Sequence, residues 1–278
     1  LAEWRGEAAP VAAGGLLLHR RIAEVAERVP DRVALTTDDG LALTYGELLR
    51  RSRGLAGALK EAGVRPGDGV PVMAPRSAET VAAFLAVLQA GGFYVPVDPE
   101  YPEERVAFLL GDLEESARGE MVVVAPPAWK GRLEGLGRFV GWTEWTGEED
   151  AAAGPAYGIY TSGSSGRPKA VVVSHGAVTP RLLAARLEGM DETERVLHKA
   201  SPSFDVSVFE IFAPLLLGAR VHVVSPGGTA DLAGLLALMR EQETTHVSFP
   251  PSLLSSLLGP DGLAGCPALR RVMTGGET

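Results

Sequence analysis

The sequence is poor in the residues that would place it in several common protein classes. It has one cysteine, Cys266, in 278 residues, which excludes an internal disulfide framework and fits a reducing cytoplasm. It has no apolar run of about 18 residues, so no membrane-spanning helix is predicted. None of its five histidines lies within five residues of another or of Cys266, so no metal-ligand spacing is present.

Positive charge is also scarce. The net charge is −9, and the acidic residues are spread along the chain. Such a surface disfavours contact with nucleic acid or with an anionic membrane. Residues 1–13 lack the basic start and long apolar centre of a signal peptide. We therefore expect a cytoplasmic protein with neither nucleic acid nor membrane as a partner.

What remains is the composition of a globular chain, with 46% hydrophobic residues and 22% charged residues. Residues 1–15, with Pro10 among several Ala and Gly, are interpreted as an interdomain linker or arm, and residues 16–278 as one core. Within that core short β-branched strands alternate with amphipathic helices. This alternation predicts an α/β fold with a mostly parallel sheet covered by helices on both faces.

Local signals mark several boundaries in this core. Thr44 and Glu47 are spaced as a capping box, and Ser77 is placed to cap a second helix. Residues 126–155 are harder to interpret, because tryptophans stand there among glycines and charged residues. We expect surface hairpins over one edge of the core, carrying Trp129, Trp142 and Trp145.

The most informative stretch is YTSGSSGRPKA, at residues 160–170. Strand-like segments flank it, while its glycines, Pro168 and small hydroxyl residues favour a turn. A hairpin loop of this kind offers backbone N–H groups, hydroxyls and the Lys169 ammonium to one polyphosphate. Pro168 and Ala170 break the Walker A pattern G-x-x-x-x-G-K-S/T. A Gly/Ser linker would need neither the Pro–Lys pair nor strands on both sides.

A second segment, SFDVSVFE at residues 203–210, places Asp205 between a strand and an apolar helix. Two interpretations stay open for this residue. Asp205 caps the helix, or it is a buried anion at a pocket wall that holds a cation. The second interpretation fits the rule that α/β ligand sites form at the carboxyl ends of parallel strands.

Four segments, in the same order, resemble core motifs of the adenylation domains of nonribosomal peptide synthetases. They are LTYGEL at 43–48, LAVLQAGGFYVPVDP at 85–99, YTSGSSGRPK at 160–169 and FDVSVFE at 204–210. The resemblance covers essentially the whole chain. The second and fourth of these segments separate this subfamily from the acyl-CoA ligases and luciferases, which lack the Phe–Asp pair.

The resemblance implies a layered, mostly parallel α/β core and an ATP-dependent reaction. An amino acid would be activated as an aminoacyl-AMP, with Mg²⁺ on the phosphates, and passed to the phosphopantetheine thiol of a peptidyl carrier protein. Residues 1–4, LAEW, resemble the linker that follows a condensation domain, so such a neighbour is expected. Whether a small MbtH-like helper protein is required stays open.

The same resemblance assigns roles to individual residues. Thr161 and Lys169 would act on the reacting ATP, and Asp205 would bind the substrate ammonium. The phosphates would be held by Thr161, Ser162, Gly163, Ser164, Ser165, Gly166 and Lys169. A mainly apolar side-chain pocket, which suits a medium-sized neutral amino acid, would be lined by Val206, Phe209, Ser248, Met273 and Gly275. The residues near the adenine would be Gly275, Gly276 and Glu277.

The chain departs from the family pattern at Ala170, where glycine is usual, and at Phe209, where tryptophan is frequent. It ends at Thr278, as the fifth motif begins, so the metal-binding glutamate and the C-terminal lid with its catalytic lysine are expected outside it. No metal ligand is expected within this chain. Two alternatives stay open: an aryl- or fatty-acid CoA ligase, whose substrate has no ammonium for Asp205, and a truncated, non-catalytic scaffold of an assembly line.

Overall fold

The computed structural model describes residues 17–133, 135–142, 154–162, 168–228, 231–259 and 262–275. The predicted linker, residues 1–15, lies outside these ranges. The described helices are α1 (Leu18–Arg28), α2 (Tyr45–Glu61), α3 (Ala78–Gln89), α4 (Glu103–Ser116), α5 (His175–Leu183), α6 (Asp205–Leu217), α7 (Leu232–Glu241) and α8 (Pro251–Leu257). Among the described residues, no helix is both long and apolar enough to cross a membrane.

Twelve described strands form two six-stranded sheets. The strands are β1 (Val33–Thr37), β2 (Ala42–Thr44), β3 (Gly69–Met73), β4 (Phe93–Val97), β5 (Val122–Ala125), β6 (Arg138–Gly141), β7 (Pro155–Ser162), β8 (Pro168–Ser174), β9 (Arg195–His198), β10 (Arg220–Val223), β11 (His246–Phe249) and β12 (Arg271–Thr274). The first sheet has the order β2-β1-β10-β9-β11-β12, and the second has the order β6-β5-β3-β4-β7-β8.

Both sheets are mostly parallel, which confirms the predicted layered α/β fold. Only the edge pairs β1/β2 and β7/β8 are antiparallel. The strands β3, β4 and β5 are almost completely buried. Burial on both faces explains why their sequences are continuous apolar runs without alternation.

Two helices join the sheets through one core. In α3 every residue except Glu79 is buried, and α6 is similarly apolar on all sides. A helix of this kind belongs inside a core and not on a surface. The Tyr94 ring of β4 stacks on Phe84 of α3, with centroids 4.2 Å apart, and lies 6.0 Å from Phe212 of α6. The two sheets therefore share a hydrophobic core, and each sheet also has a smaller cluster of its own, against α4 for the second sheet and against α7 for the first.

The carboxyl ends of the two sheets meet along a seam. Arg76, which follows β3, donates from Nε to the Val224 carbonyl at 3.0 Å and from its terminal nitrogen to the Ser225 carbonyl at 3.3 Å. Ser201, which follows β9, donates from its hydroxyl to Asp98 after β4 at 2.9 Å. Each contact joins a residue of one sheet's carboxyl edge to a residue of the other's. The seam brings together the two edges at which α/β ligand sites form.

The local boundary signals are confirmed. Thr44 accepts the N–H of Glu47, and the Glu47 carboxylate accepts the N–H of Thr44, so the capping box is complete. Ser77 caps α3 by accepting the N–H of Thr80 at 3.1 Å. Tyr45, which follows the cap residue Thr44, is fully buried and donates its hydroxyl to the Ala219 carbonyl at 2.7 Å. The start of α2 is thereby tied to the chain just after α6.

The prediction for residues 126–155 is wrong where the structure describes them. A 3₁₀-helix spans Pro127–Leu133, and β6 pairs with β5 in parallel instead of folding back in a hairpin. Just before β6, Gly137 has φ +118°, and a Cβ there would lie 2.4 Å from the Met121 carbonyl oxygen, so this close approach of the two strands requires glycine. Trp129 and Trp142 pack half-buried against the core, and Trp145 lies outside the described residues.

Two buried histidines meet where α1 packs on α5. The His19 and His175 rings are 5.2 Å apart in an edge-to-face arrangement. Nδ1 of His175 accepts the N–H of Leu18 at 3.2 Å, whereas neither ring nitrogen of His19 has a hydrogen-bond partner among the described residues. Burial, together with the charge of the neighbouring His175, lowers the pKa of His19 to about 3. Burial likewise lowers the pKa of His175 to about 4.

This pair predicts acid sensitivity. Because both pKa values lie below the unfolded value, their contribution to stability is present above pH 6.5 and is lost as the pH falls toward 4. Each histidine should add about 1.4 kcal/mol per pH unit to that loss. Urea unfolding of His19→Leu between pH 6 and pH 4.5 should therefore give a shallower pH dependence than the wild type. Equal slopes for the two proteins would contradict the assignment.

Candidate active site

The predicted phosphate-binding hairpin is present. The strands β7 and β8 pair in antiparallel register from Pro155 opposite Ser174 to Ser162 opposite Pro168. The loop residues Gly163, Ser164, Ser165 and Gly166 lie outside the described residues. At the base of the loop Thr161 is opposite Lys169, and its hydroxyl donates to the Lys169 carbonyl at 3.5 Å. Both side chains are exposed, so they are available to a ligand.

Tyr160, which precedes Thr161 on β7, anchors the base of the hairpin. Its ring is buried in the second sheet's own core, and its hydroxyl donates to Asp112 of α4 at 2.5 Å. Burial raises the pKa of Tyr160, and the hydrogen bond to Asp112 raises it further. The phenol therefore remains a neutral donor, and the strand that leads into the loop is anchored to α4.

Asp205 is neither the N-terminal cap of α6 nor buried. It is the first residue inside α6, whereas Phe204 is the N-terminal cap residue and makes no side-chain capping bond. Asp205 is also exposed, not buried. The first turn of α6 buries Ser207 and Val208, while Phe204 and Asp205 lie on its exposed side. An acidic residue in the first helical turn is favoured by the helix dipole.

The Asp205 carboxylate nevertheless acts electrostatically on the hairpin strand β7. Burial raises the pKa of Tyr157 on β7, and the Asp205 carboxylate raises it further. Tyr157 lies on the strand that carries Thr161 at its end. Helix α5 follows β8 directly and packs on α6. The hairpin and α6 are therefore linked through α5.

Three residues predicted to line the side-chain pocket lie on or near β11 and β12. Ser248 on β11 is in register with Met273 on β12, and the Phe209 ring of α6 lies 5.7 Å from the His246 ring at the start of β11. Val206, Phe209 and Met273 are half-buried, Ser248 is buried and Gly275 is exposed. Gly276 and Glu277, predicted near the adenine, lie outside the described residues.

The structure adds one residue that the sequence analysis did not select, Glu210. This α6 glutamate is 1% exposed and lies among apolar residues. Its Oε2 accepts hydrogen bonds from Nδ1 of His198 and from the backbone N–H groups of Lys199 and Ala200, each at 3.0 Å. Its Oε1 accepts the hydroxyl of Ser248. A charged residue inside an apolar helical segment was the available signal.

These donors keep Glu210 ionised. Burial by itself would raise the pKa of this carboxyl group, but hydrogen bonds from His198, Ser248 and the Ala200 N–H outweigh burial, so the pKa lies below its ordinary value. The nearby ammonium of Lys199 rests 4.8 Å above the Phe249 ring. Within the described ranges, no group of three or more His, Cys, Asp or Glu side chains could hold a metal ion.

Known proteins match this chain in both sequence and structure. Tyrocidine synthase 3 of Brevibacillus parabrevis is 37% identical over 267 residues, covering 94% of this chain and 4% of the relative. Phosphinothricin tripeptide synthetase PhsB of Streptomyces viridochromogenes is 38% identical over 269 residues, covering 91% of this chain and 22% of the relative. The chain thus spans only a small part of the length of these relatives.

Solved structures agree. The nonribosomal peptide synthetase FmoA3, in its alpha-methyl-L-serine-AMP bound form, gives a TM-score of 0.81 at 32% identity, covering 96% of this chain and 31% of that one. The N-terminal subdomain of Klebsiella oxytoca NpsA, in complex with 3-hydroxyanthranilyl-AMSN, gives 0.78 at 25% identity, covering 95% and 67%.

The sequence profile of the AMP-binding enzyme family matches residues 22–278, and so includes the hairpin, α6 and the strands of both sheets. The resemblance found in four motifs is thereby confirmed over nearly the whole chain. The chain belongs to the AMP-binding enzyme family, and its fold is that of the N-terminal core of an adenylate-forming enzyme.

Proposed function

We propose that this chain forms the N-terminal part of an adenylation domain that activates an amino acid with ATP. The observation that carries the proposal is the β7–β8 hairpin with Thr161 opposite Lys169 at its base, in a chain of the AMP-binding enzyme family that also has an acidic residue, Asp205, in the first turn of α6. An amino-acid adenylate bound to the similar FmoA3 supports an amino acid as the substrate. The product would be handed to the phosphopantetheine thiol of a carrier protein in cytoplasmic peptide synthesis.

The proposed reaction transfers the adenylyl group of ATP to the carboxylate of the amino acid. A carboxylate oxygen of the amino acid attacks the α-phosphorus of ATP, the bond from that phosphorus to the β-phosphate oxygen breaks, and pyrophosphate leaves. Catalysis of such a transfer is mainly positioning and charge neutralisation. Lys169 and the hydroxyl of Thr161 would neutralise and orient the departing phosphates, together with Mg²⁺ carried on ATP. Asp205 would hold the substrate ammonium.

A second candidate has its own support. NpsA, of similar fold, was solved with 3-hydroxyanthranilyl-AMSN. An aryl substrate of this kind would need no contact between an α-ammonium and Asp205. A non-catalytic scaffold is the third candidate, and it would show no substrate-dependent exchange at all. The experiments below separate the three, in the longer protein that the proposal implies.

The first test changes Asp205. Asp205→Ala should lower amino-acid-dependent ATP–pyrophosphate exchange by about 100-fold, because the substrate ammonium loses its counter-charge within the bound complex. The matched control is Asp191→Ala, an exposed aspartate at the opposite, amino end of β9, which should leave exchange unchanged. An unchanged rate in Asp205→Ala would favour the aryl-acid candidate. A wild type with no exchange on any amino, hydroxy or aryl acid would favour the scaffold.

The second test concerns the hairpin. Lys169→Ala should raise the KM for ATP about tenfold, because one charge-assisted contact to the phosphates is lost, while the KM for the amino acid changes little. Lys130→Ala, at another exposed lysine, should leave both values as in the wild type. The assignment of the hairpin to the phosphates is excluded if the amino-acid KM rises and the ATP KM does not.

A further inference from the structure

The hydrogen bonds of Glu210 hold the segment that leads to Asp205 as well as α6 itself. It lies five residues after Asp205 on the same helix, and its carboxylate binds the carboxyl ends of β9 and β11. We propose that Glu210 is the positioning residue that fixes Asp205 for recognition of the substrate ammonium. This inference rests on the proposed function, since it assigns the reason why that site selects amino acids.

The segment that enters α6 is bound by α6 itself. Glu210 accepts the N–H groups of Lys199 and Ala200, the two residues that follow β9. Those residues begin the connection that ends at Asp205. The Glu210 carboxylate thus links α6 to the segment that leads into it. This link restricts how far the start of the helix can shift along its axis or rotate about it.

The other side of the same connection is bound by the second sheet. The Ser201 hydroxyl donates to Asp98, and the Ser203 hydroxyl donates to the Pro96 carbonyl at 3.5 Å. Both acceptors belong to the end of β4 in the second sheet. The connection 199–204 is therefore held by its own helix on one side and by the other sheet on the other. The backbone of Asp205, at the end of this connection, is therefore held in place although the Asp205 side chain is exposed.

A carboxylate buried without partners is strongly destabilising, and an apolar residue would pack better in a helix as apolar as α6. The hydrogen bonds of Glu210 offset this cost only in one arrangement of α6, β9 and β11, which is what a positioning role requires. The bond to Ser248 also engages the hydroxyl of a residue that was predicted to line the side-chain pocket.

Glu194 provides a matched control on the same sheet. It is also buried, and it binds Thr245 and Arg271, the latter at 3.0 Å. It lies at the amino ends of β9 and β11, whereas Glu210 lies at their carboxyl ends. Replacing Glu194 removes a comparable buried carboxylate without touching the connection to Asp205.

The test compares an amino acid with its 2-hydroxy analogue, which has the same side chain and carboxylate but no ammonium. The amino acid is the proteinogenic one that gives the highest exchange with the wild type. In Glu210→Gln, kcat/KM should fall at least tenfold for the amino acid and less than threefold for the hydroxy acid, with the KM for ATP unchanged. Glu194→Gln should leave the ratio of the two substrates as in the wild type.

The outcomes distinguish this inference from the proposed function. No exchange by the wild type with any amino acid overturns both. An active wild type whose substrate ratio is the same in Glu210→Gln, or an equal fall for both substrates, overturns the positioning role alone. If Glu210→Gln does not fold, His198→Ala removes one donor to the same carboxylate and is scored by the same ratio, with an expected fall of about threefold.

Discussion

The structure depends on the contact between the carboxyl ends of two mostly parallel sheets. Arg76 makes the most direct link, because its guanidinium binds two successive carbonyl groups, those of Val224 and Ser225, across the seam. Burial lowers the pKa of Arg76, and the carboxylates of Glu210 and Asp98 oppose that change. A cation there balances the acidic groups that converge on the seam. Without it the two edges would carry opposed carbonyl dipoles and carboxylates with no counter-charge.

The first sheet has a buried glutamate at the amino ends of its strands and another at their carboxyl ends. Glu194 and Glu210 are both buried glutamates between β9 and β11. At the amino end Glu194 faces arginines and Thr245, and it joins strands to one another. At the carboxyl end Glu210 binds the backbone that leads into α6. Ligand sites of parallel sheets form at carboxyl ends, so the second arrangement acts on the site and the first acts on the scaffold.

The sequence predicted what local signals encode. The capping box of Thr44 and Glu47, the cap at Ser77 and the hairpin around residues 160–170 each depend on residues a few positions apart, and each is confirmed. The parallel pairing of β6 was missed because it depends on Gly137 passing close to Met121, which no local pattern records. Glu210 was missed for the same reason: Ser248, one of its partners, is 38 positions away. The exposure of Asp205 depends on which side of the first turn of α6 the assembled fold covers, and no local pattern records that.

An exposed Asp205 on a rigid support has a physical consequence. An ion pair in open solvent contributes about 0–1 kcal/mol, too little to select amino acids over hydroxy acids by a large factor. The pair gains strength only when water is excluded, since the same charges interact several times more strongly at a lower effective dielectric constant. If Asp205 recognises an ammonium, selection must arise when the bound nucleotide and the rest of the protein cover the seam. Fixing the carboxylate in advance then matters, because a side chain that had to be ordered at that moment would lose part of the gain to conformational entropy.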